Sequence, residues 1–269
     1  MMKHNEETKP VSWLDEHRLQ CGDVIILCAT PFQIAELTKK CGPNGYDLMM
    51  LKEPKCVRSW LNRSQEWTAN NILEIGIDRG GGLLFLDAAF NAQKTVGIDI
   101  DKQARLGRLT QLLLKSDDLA RRITPYYETD QTDVAAVEKI LTDEFGDEGI
   151  DLVIDDGSHL LDDTRNTFET VFPWVSKGGY YVIEDWSWGH IDAFGRLAPK
   201  RYHNQPSMSQ IVLELTAIAA AHPDIIQKIA IVEDAIVITR GKADLPRPFR
   251  ILDYGKSWAS FDLDRLAQF

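Results

Sequence analysis

Cysteine is scarce and confined: four in 269 residues, at positions 21, 28, 41 and 56. None forms a CxxC pair, their spacing is wrong for a zinc knuckle, and a disulfide frame is not expected in a chain this large. They read as reduced, mostly buried thiols of a cytoplasmic protein. No apolar run approaches the roughly 20 residues a membrane helix needs. The polar start, MMKHNEETKP, has no signal-peptide core, so a soluble chain is expected. Positive charge is short as well. Lys and Arg number 30 against 41 Asp and Glu, and the net charge of −11 argues against nucleic acid as a main partner. The nearest basic cluster, Arg105 and Arg108 with Arg121 and Arg122, is expected on exposed helix faces and ends. The glycine turn in ILEIGIDRGGG, residues 72–82, is neither GxGxxG nor a GKS/GKT phosphate loop, which speaks against a dinucleotide fingerprint and a P-loop there. Internal repeats and low-complexity runs are absent too.

What remains is an ordinary globular composition, 44% apolar and 26% charged, long enough for one large α/β domain with decoration. From residue 70 the pattern is regular. NILEIG, KTVGIDI, ITPYYE, DLVID and YYVIED read as five strands. LLFLDAAFN, DKQARLGRLTQLLLKS, DVAAVEKILTDEFG and DTRNTFETVFPWV read as the helices between them, the last stopped by Ser176-Lys177-Gly178-Gly179. The helix SQIVLELTAIAAAH follows. IIQKIAIVEDAIVITRG then reads as an antiparallel hairpin turning near Glu233-Asp234. The expected fold is therefore α/β: a Rossmann-like sheet of seven strands, mostly parallel, with a C-terminal antiparallel hairpin and helices on both faces. Three parts are expected. Residues 1–68 form an N-terminal lid or auxiliary segment, with a strand, a turn at Thr30-Pro31, a helix ending at Cys41-Gly42 and a second helix in RSWLNRSQEW. Residues 69–242 form the main domain, and residues 243–269 a tail packed over it.

In such sheets ligands bind beyond the carboxyl ends of the strands, and the motifs lie there. ILEIGIDRGGG carries Glu74 inside the strand and Gly76 and Gly80 in the turn, where backbone can approach a ligand closely. An acid before the turn repels a pyrophosphate and suits a cationic ligand. Asp99, ending the second strand, can accept two hydrogen bonds from a ribose, and can equally cap a helix. Together these describe a nucleoside without a phosphate chain, which fits S-adenosylmethionine better than NAD. Asp130 and Gln131 sit where an adenine amino group would lie, or cap the helix starting near Asp133.

The fourth and fifth strands end in Asp155-Asp156 and Glu184-Asp185. If these strands are neighbours, about 4.8 Å apart, three or four carboxylates converge. Like charges this close cannot all stay ionised unless a cation sits among them. Oxygen ligands with room for water favour Mg²⁺ over zinc. His159, three residues after Asp156, stands at the rim, where a neutral imidazole could take a proton from a substrate hydroxyl; a solvated His in a first helical turn is the bland alternative. His190 in WSWGH is a second candidate base. Trp186 and Trp188 read as an apolar wall for a substrate or as packing residues.

LEIGIDRGGG, VGIDID, DQTD, IDDGSH and GGYYVIEDW together resemble class I S-adenosylmethionine-dependent methyltransferases. More narrowly, they are similar to the Mg-dependent sugar O-methyltransferases of macrolide biosynthesis, the macrocin and mycinamicin group, and to cephalosporin hydroxylase-like relatives. The resemblance spans roughly residues 70–240. It implies Mg²⁺ ligands at Asp156, Glu184 and Asp185, a general base at His159, a ribose-binding acid at Asp99 and adenine-loop positions at Asp130 and Gln131. Glu74, Gly76, Gly80 and Asp155 complete the expected cofactor side. Two departures stand out. Gly82-Leu83 replaces the Ser that often follows the family's glycine pair, and residues 1–68 match no auxiliary domain of the macrolide enzymes.

The expected activity is methyl transfer from S-adenosylmethionine, leaving S-adenosylhomocysteine, to a hydroxyl of a small natural product, a sugar or vicinal diol. A catechol or phenol acceptor is the near alternative. An NAD(P)-dependent oxidoreductase and a non-catalytic S-adenosylmethionine-binding protein are the distant ones. The expected partners are the small-molecule acceptor and a second copy of the chain in a homo-oligomer, with no nucleic acid and no membrane.

Overall fold

Apolar runs without alternation are buried on both faces, as strands of a parallel sheet must be. The computed structural model describes residues 11–42, 44–191, 200–232 and 235–254. The chain divides into two compact units, Met1–Ser158 and His159–Phe269.

In the first unit, β5 (Asn71–Ile75) is buried along its whole length. It pairs in parallel with β6 (Lys94–Ile98) on one side and β8 (Ile150–Asp155) on the other, and β6 pairs with β7 (Ile123–Tyr126). Ile72 lies opposite both Thr95 and Leu152, so the strand ends are level. The first crossover helix, α3 (Gly81–Phe90), is buried from Gly81 through Asp87, which its nearly unbroken apolar sequence requires. The third crossover, α6 (Val134–Phe145), is capped by Asp133, whose carboxylate accepts the Ala136 N–H at 3.1 Å.

The second crossover departs from expectation. DKQARLGRLTQLLLKS is not one helix but a 3₁₀ turn (Gln103–Leu106), α4 (Arg108–Leu113) and α5 (Asp117–Arg122). Gly107 is extended at φ −71°, ψ 178°, which breaks the first junction. Ser116 makes the second by accepting the Leu119 N–H, restarting the helix as a new cap.

The N-terminal segment holds more sheet than its sequence suggests. β1 (Val11–Trp13), β2 (Arg18–Cys21), β3 (Val24–Cys28) and β4 (Leu48–Met50) form a four-stranded sheet in that order. The first three are antiparallel. β4 joins β3 in parallel after the crossover helix α1 (Ile34–Cys41). Leu27, Ala29, Leu37 and Met49 make its small core. α2 (Pro54–Glu66) follows, with proline at its start where the missing N–H costs nothing. Arg108 of α4 donates to the carbonyls of Tyr46 (2.7 Å) and Asp47 (3.1 Å), tying this sheet to the crossover helices of its own unit.

In the second unit, α7 (Leu161–Val171) ends in a 3₁₀ turn at Phe172–Trp174. Ser176-Lys177-Gly178-Gly179, expected as the helix stop, lies within β9 (Val175–Ile183); Pro173 has already ended the helix. After α8 (Ser209–Ala221) come β10 (Ile226–Val232) and β11 (Ala235–Arg240), antiparallel to each other, with β11 antiparallel to β9. The expected turn at Glu233-Asp234 lies outside the described residues. Phe168 stacks on Phe172 at 4.4 Å and meets Tyr181 edge-on at 4.8 Å, with Phe249 beside them, an aromatic core of the kind whose edge-and-face geometry adds to burial. A short helix, α9 (Ile251–Tyr254), is fastened by the Ile251 N–H donating to Glu169.

The seven strands run in the order β10-β11-β9-β8-β5-β6-β7, the mixed sheet with a terminal hairpin that the sequence pattern implies. Among the described residues no helix is long and apolar enough to cross a membrane.

Candidate functional site

The loops leaving β5, β6, β7 and β8 carry most of the expected cofactor residues. Gly76 leaves β5 at φ +83° and Gly80 opens α3 at φ +79°, a left-handed region where a side chain is strained. A Cβ on Gly76 would stand 2.2 Å from the carbonyl oxygen of Asp156, and one on Gly80 would stand 2.4 Å from Leu109. Glycine is thus required where the β5 turn touches the β8 loop. Glu74 is buried, with its carboxylate against the first turn of α3, where a Cβ on Gly82 would meet Oε1 at 2.3 Å.

Asp99 is held by both oxygens. Oδ2 accepts the Asp78 N–H at 2.8 Å and Oδ1 accepts the Asp101 N–H at 2.7 Å. Its carboxylate is fixed across the ends of β5 and β6, with lone pairs remaining on each oxygen. The neighbouring Asp78, which the sequence did not single out, sits at φ +44°. Desolvation first, then Asp99 and Asp156 nearby, hold its carboxyl above the usual range. The residue is exposed overall, so solvent screens much of that effect.

Asp130 and Gln131 part company. Asp130 is exposed and accepts both the N–H and the hydroxyl of Thr132 at 2.8 Å, a local turn. Gln131 Oε1 accepts the Ser158 N–H at 2.7 Å and packs over Gly157. Gln131 therefore braces the DDGSH loop from the β7 side.

On that loop Asp155 is buried at the end of β8, and Asp156 is half-buried. The Asp156 N–H donates to the Ile75 carbonyl at 2.9 Å. Its Oδ2 lies 2.7 Å from Nζ of Lys52, a residue that sequence reasoning missed because LKEPK carries no motif.

In the second unit the chain resumes at His159, whose φ is +56°; Asp185, after β9, has the same value. Two neighbours of catalytic type in a strained region mark a constrained site. His159 Nε2 stands 3.9 Å from Asp185 Oδ2, and the His159 side chain is only 11% exposed. Trp188 covers it, with ring centroids 4.5 Å apart. Glu184, at the end of β9, is buried. His159 and Asp185 each offer one atom of metal-ligand type, as does Asp156 on the loop leading into His159. His190 lies apart from this chemistry: its Nε2 is hydrogen-bonded to the hydroxyls of Ser209 and Ser207 at the surface. Trp188 is therefore the wall residue that reaches the histidine, and His190 anchors the turn carrying it.

Residues 73–186 match the family model described as a methyltransferase domain. Over 131 residues, 46% of this chain, the sequence is 34% identical to demethylmacrocin O-methyltransferase of Streptomyces fradiae, covering 29% of that protein. The chain spans less than a third of the length of the curated relatives it matches. Among solved structures, the MycE methyltransferase of the mycinamycin biosynthetic pathway, in complex with Mg and SAH, aligns with a TM-score of 0.50 at 23% identity. That alignment covers 89% of this chain and 59% of that one. The O-methyltransferase from Bacillus cereus, in complex with SAH, aligns with a TM-score of 0.52 at 15% identity over 78% of this chain and 90% of that one. At these identities the likeness is one of fold, and the fold is the seven-stranded sheet described above.

Proposed function

We propose that this protein is an S-adenosylmethionine-dependent O-methyltransferase acting on a hydroxyl of a small natural product, a sugar or another vicinal diol. His159 serves as general base, and Asp156, Glu184 and Asp185 hold Mg²⁺. The observation that carries the reading is the pair His159–Asp185, 3.9 Å apart, both in the left-handed region and roofed by Trp188. The macrocin-type relative named above supports the acceptor class.

The residues fit the implied groups. Carboxylate oxygens at strand ends are the donors Mg²⁺ prefers, and Asp156 already carries a cation in the ammonium of Lys52. When bound, S-adenosylmethionine would supply an electrophilic methyl group and Mg²⁺ would supply charge that acidifies the acceptor hydroxyl.

The chain's own residues do the rest. Asp99, pinned by two amides, presents a fixed carboxylate to the ribose. Gly76 and Gly80 keep the β5 turn clear of side chains so that the cofactor can lie against backbone. His159 takes the acceptor proton, and Asp185 beside it stabilises the imidazolium that results. Trp188 holds the ring in place and keeps water from that face.

The test is transfer of isotope-labelled methyl from S-adenosylmethionine to a panel of glycosides and catechols, with and without EDTA. Labelled glycoside ethers that disappear on chelation support the reading. Labelling confined to catechols shifts the acceptor class, and activity that survives complete metal removal ends the Mg²⁺ assignment.

A further inference from the structure

The ion pair between Lys52 and Asp156 joins residues 104 positions apart, Nζ to Oδ2 at 2.7 Å, with side chains 14% and 23% exposed. Charge-assisted contacts of this length in a partly dehydrated place are strong. The two partners are held very differently. Asp156 is pinned by backbone: its N–H is bonded to Ile75, its carbonyl lies against Gly76, and the next two residues are braced by Gln131. Lys52 stands on the short link between β4 and α2 and reaches Asp156 on a flexible four-carbon stem. The backbone of Asp156 is the fixed partner and the Lys52 stem the flexible one, so Lys52 is the group better able to move when cations exchange at Asp156.

Resting on the Mg²⁺ reading above, we propose that Lys52 is a resident counter-cation. It occupies Asp156 in the metal-free protein and is displaced when a divalent ion loads, so metal binding is coupled to the position of the segment between β4 and α2. The ammonium keeps Asp156 neutralised while the site is empty and lowers the apparent affinity for the metal. A +2 ion arriving at the same oxygen must either expel a +1 group or bear its repulsion at a few ångströms, and the repulsion is large where water is sparse.

Two measurements decide it. Mn²⁺ titration followed by electron paramagnetic resonance is made on the wild type, Lys52→Met, Lys52→Arg and Asp156→Asn. Lys52→Met is expected to bind Mn²⁺ about tenfold more tightly or better, Lys52→Arg to stay near wild type, and Asp156→Asn to lose most of the binding. Unchanged or weaker binding in Lys52→Met, while wild type binds through Asp156, overturns the competition and leaves the metal reading standing. No Mn²⁺ binding in either wild type or Lys52→Met overturns both. The second measurement needs no variant and so survives a misfolded mutant. Amine acylation of the wild-type chain, read by mass spectrometry, is expected to label Lys52 severalfold faster with Mn²⁺ than without. Equal labelling overturns the displacement.

Discussion

The loops after β5 to β8 and the segment around His159 and Asp185 differ in the contacts that fix their polar side chains. In the first region hydrogen bonds do the holding. Asp99 is clamped by two amides, Asp130 closes its own turn, and Gln131 braces Ser158. In the second, ring packing and left-handed backbone contribute as well: Trp188 lies over His159, and His159 and Asp185 both stand at φ +56°. The difference suits the tasks proposed. A cofactor that is bound and released thousands of times is served by fixed dipoles. The proposed base must change charge during turnover beside an acid that stays ionised, and ring packing keeps its side chain in place while its protonation changes.

The sharpest way to break this comparison is at His159. His159→Ala should lower kcat by roughly 10²- to 10⁴-fold and leave S-adenosylhomocysteine affinity, measured calorimetrically, within about twofold of wild type. A fall in cofactor affinity as large as the fall in kcat would mean that the two regions are not separate in function.

Gly76 is the next largest. Gly76→Ala puts a methyl at φ +83° and 2.2 Å from the Asp156 carbonyl. A destabilisation of about 3 kcal/mol is expected, read as a lowered midpoint in urea. An unchanged midpoint would show that the β5 turn and the β8 loop are not locked together.

The two regions also differ in how far they could be read from sequence. The parallel strands β5 to β8 were legible because each is a short apolar run closed by a turn, and local pattern is enough for that. Asp155, Asp156, Glu184 and Asp185 were legible as acids at strand ends for the same reason. Lys52 was not: its meaning comes from a partner 104 residues away, and a lone lysine before a helix has no local signature. The strands β1, β2 and β4 escaped because runs of three or four residues carry too little periodicity. The break at Gly107 was hidden by good helix formers on both sides, and Gln131 carries nothing that separates bracing a loop from touching a ligand.

Asp99 tests the hydrogen-bonded region directly. Asp99→Ala removes the acceptor of two amides and is expected to cost about 2 kcal/mol of stability and at least about tenfold in S-adenosylhomocysteine affinity. Asp99→Asn keeps one acceptor oxygen and should lose less of both. Equal losses in the two variants would mean that the charge, and not the two-point clamp, sets the position of the loop.

The smallest effect expected lies in neither region but in the N-terminal sheet, as a control on how separable it is from the chemistry. Burial pushes the thiols of Cys21 and Cys28 up to about 12. At pH 8 both are protonated in the fold and react slowly, because the thiolate is the nucleophile. Quantitative thiol labelling of native protein at pH 8 should therefore leave these two unmodified while they remain folded, and reach them in denaturant. The sign of the linked stability follows. A folded pKa above the unfolded one means the fold retains protons that the open chain releases, so stability falls as pH rises from about 9 toward 12, and nothing is lost below that window. Cys21→Ala with Cys28→Ala should flatten this part of the profile and leave kcat at neutral pH unchanged. A change in kcat would mean that the β1–β4 sheet itself takes part in the chemistry.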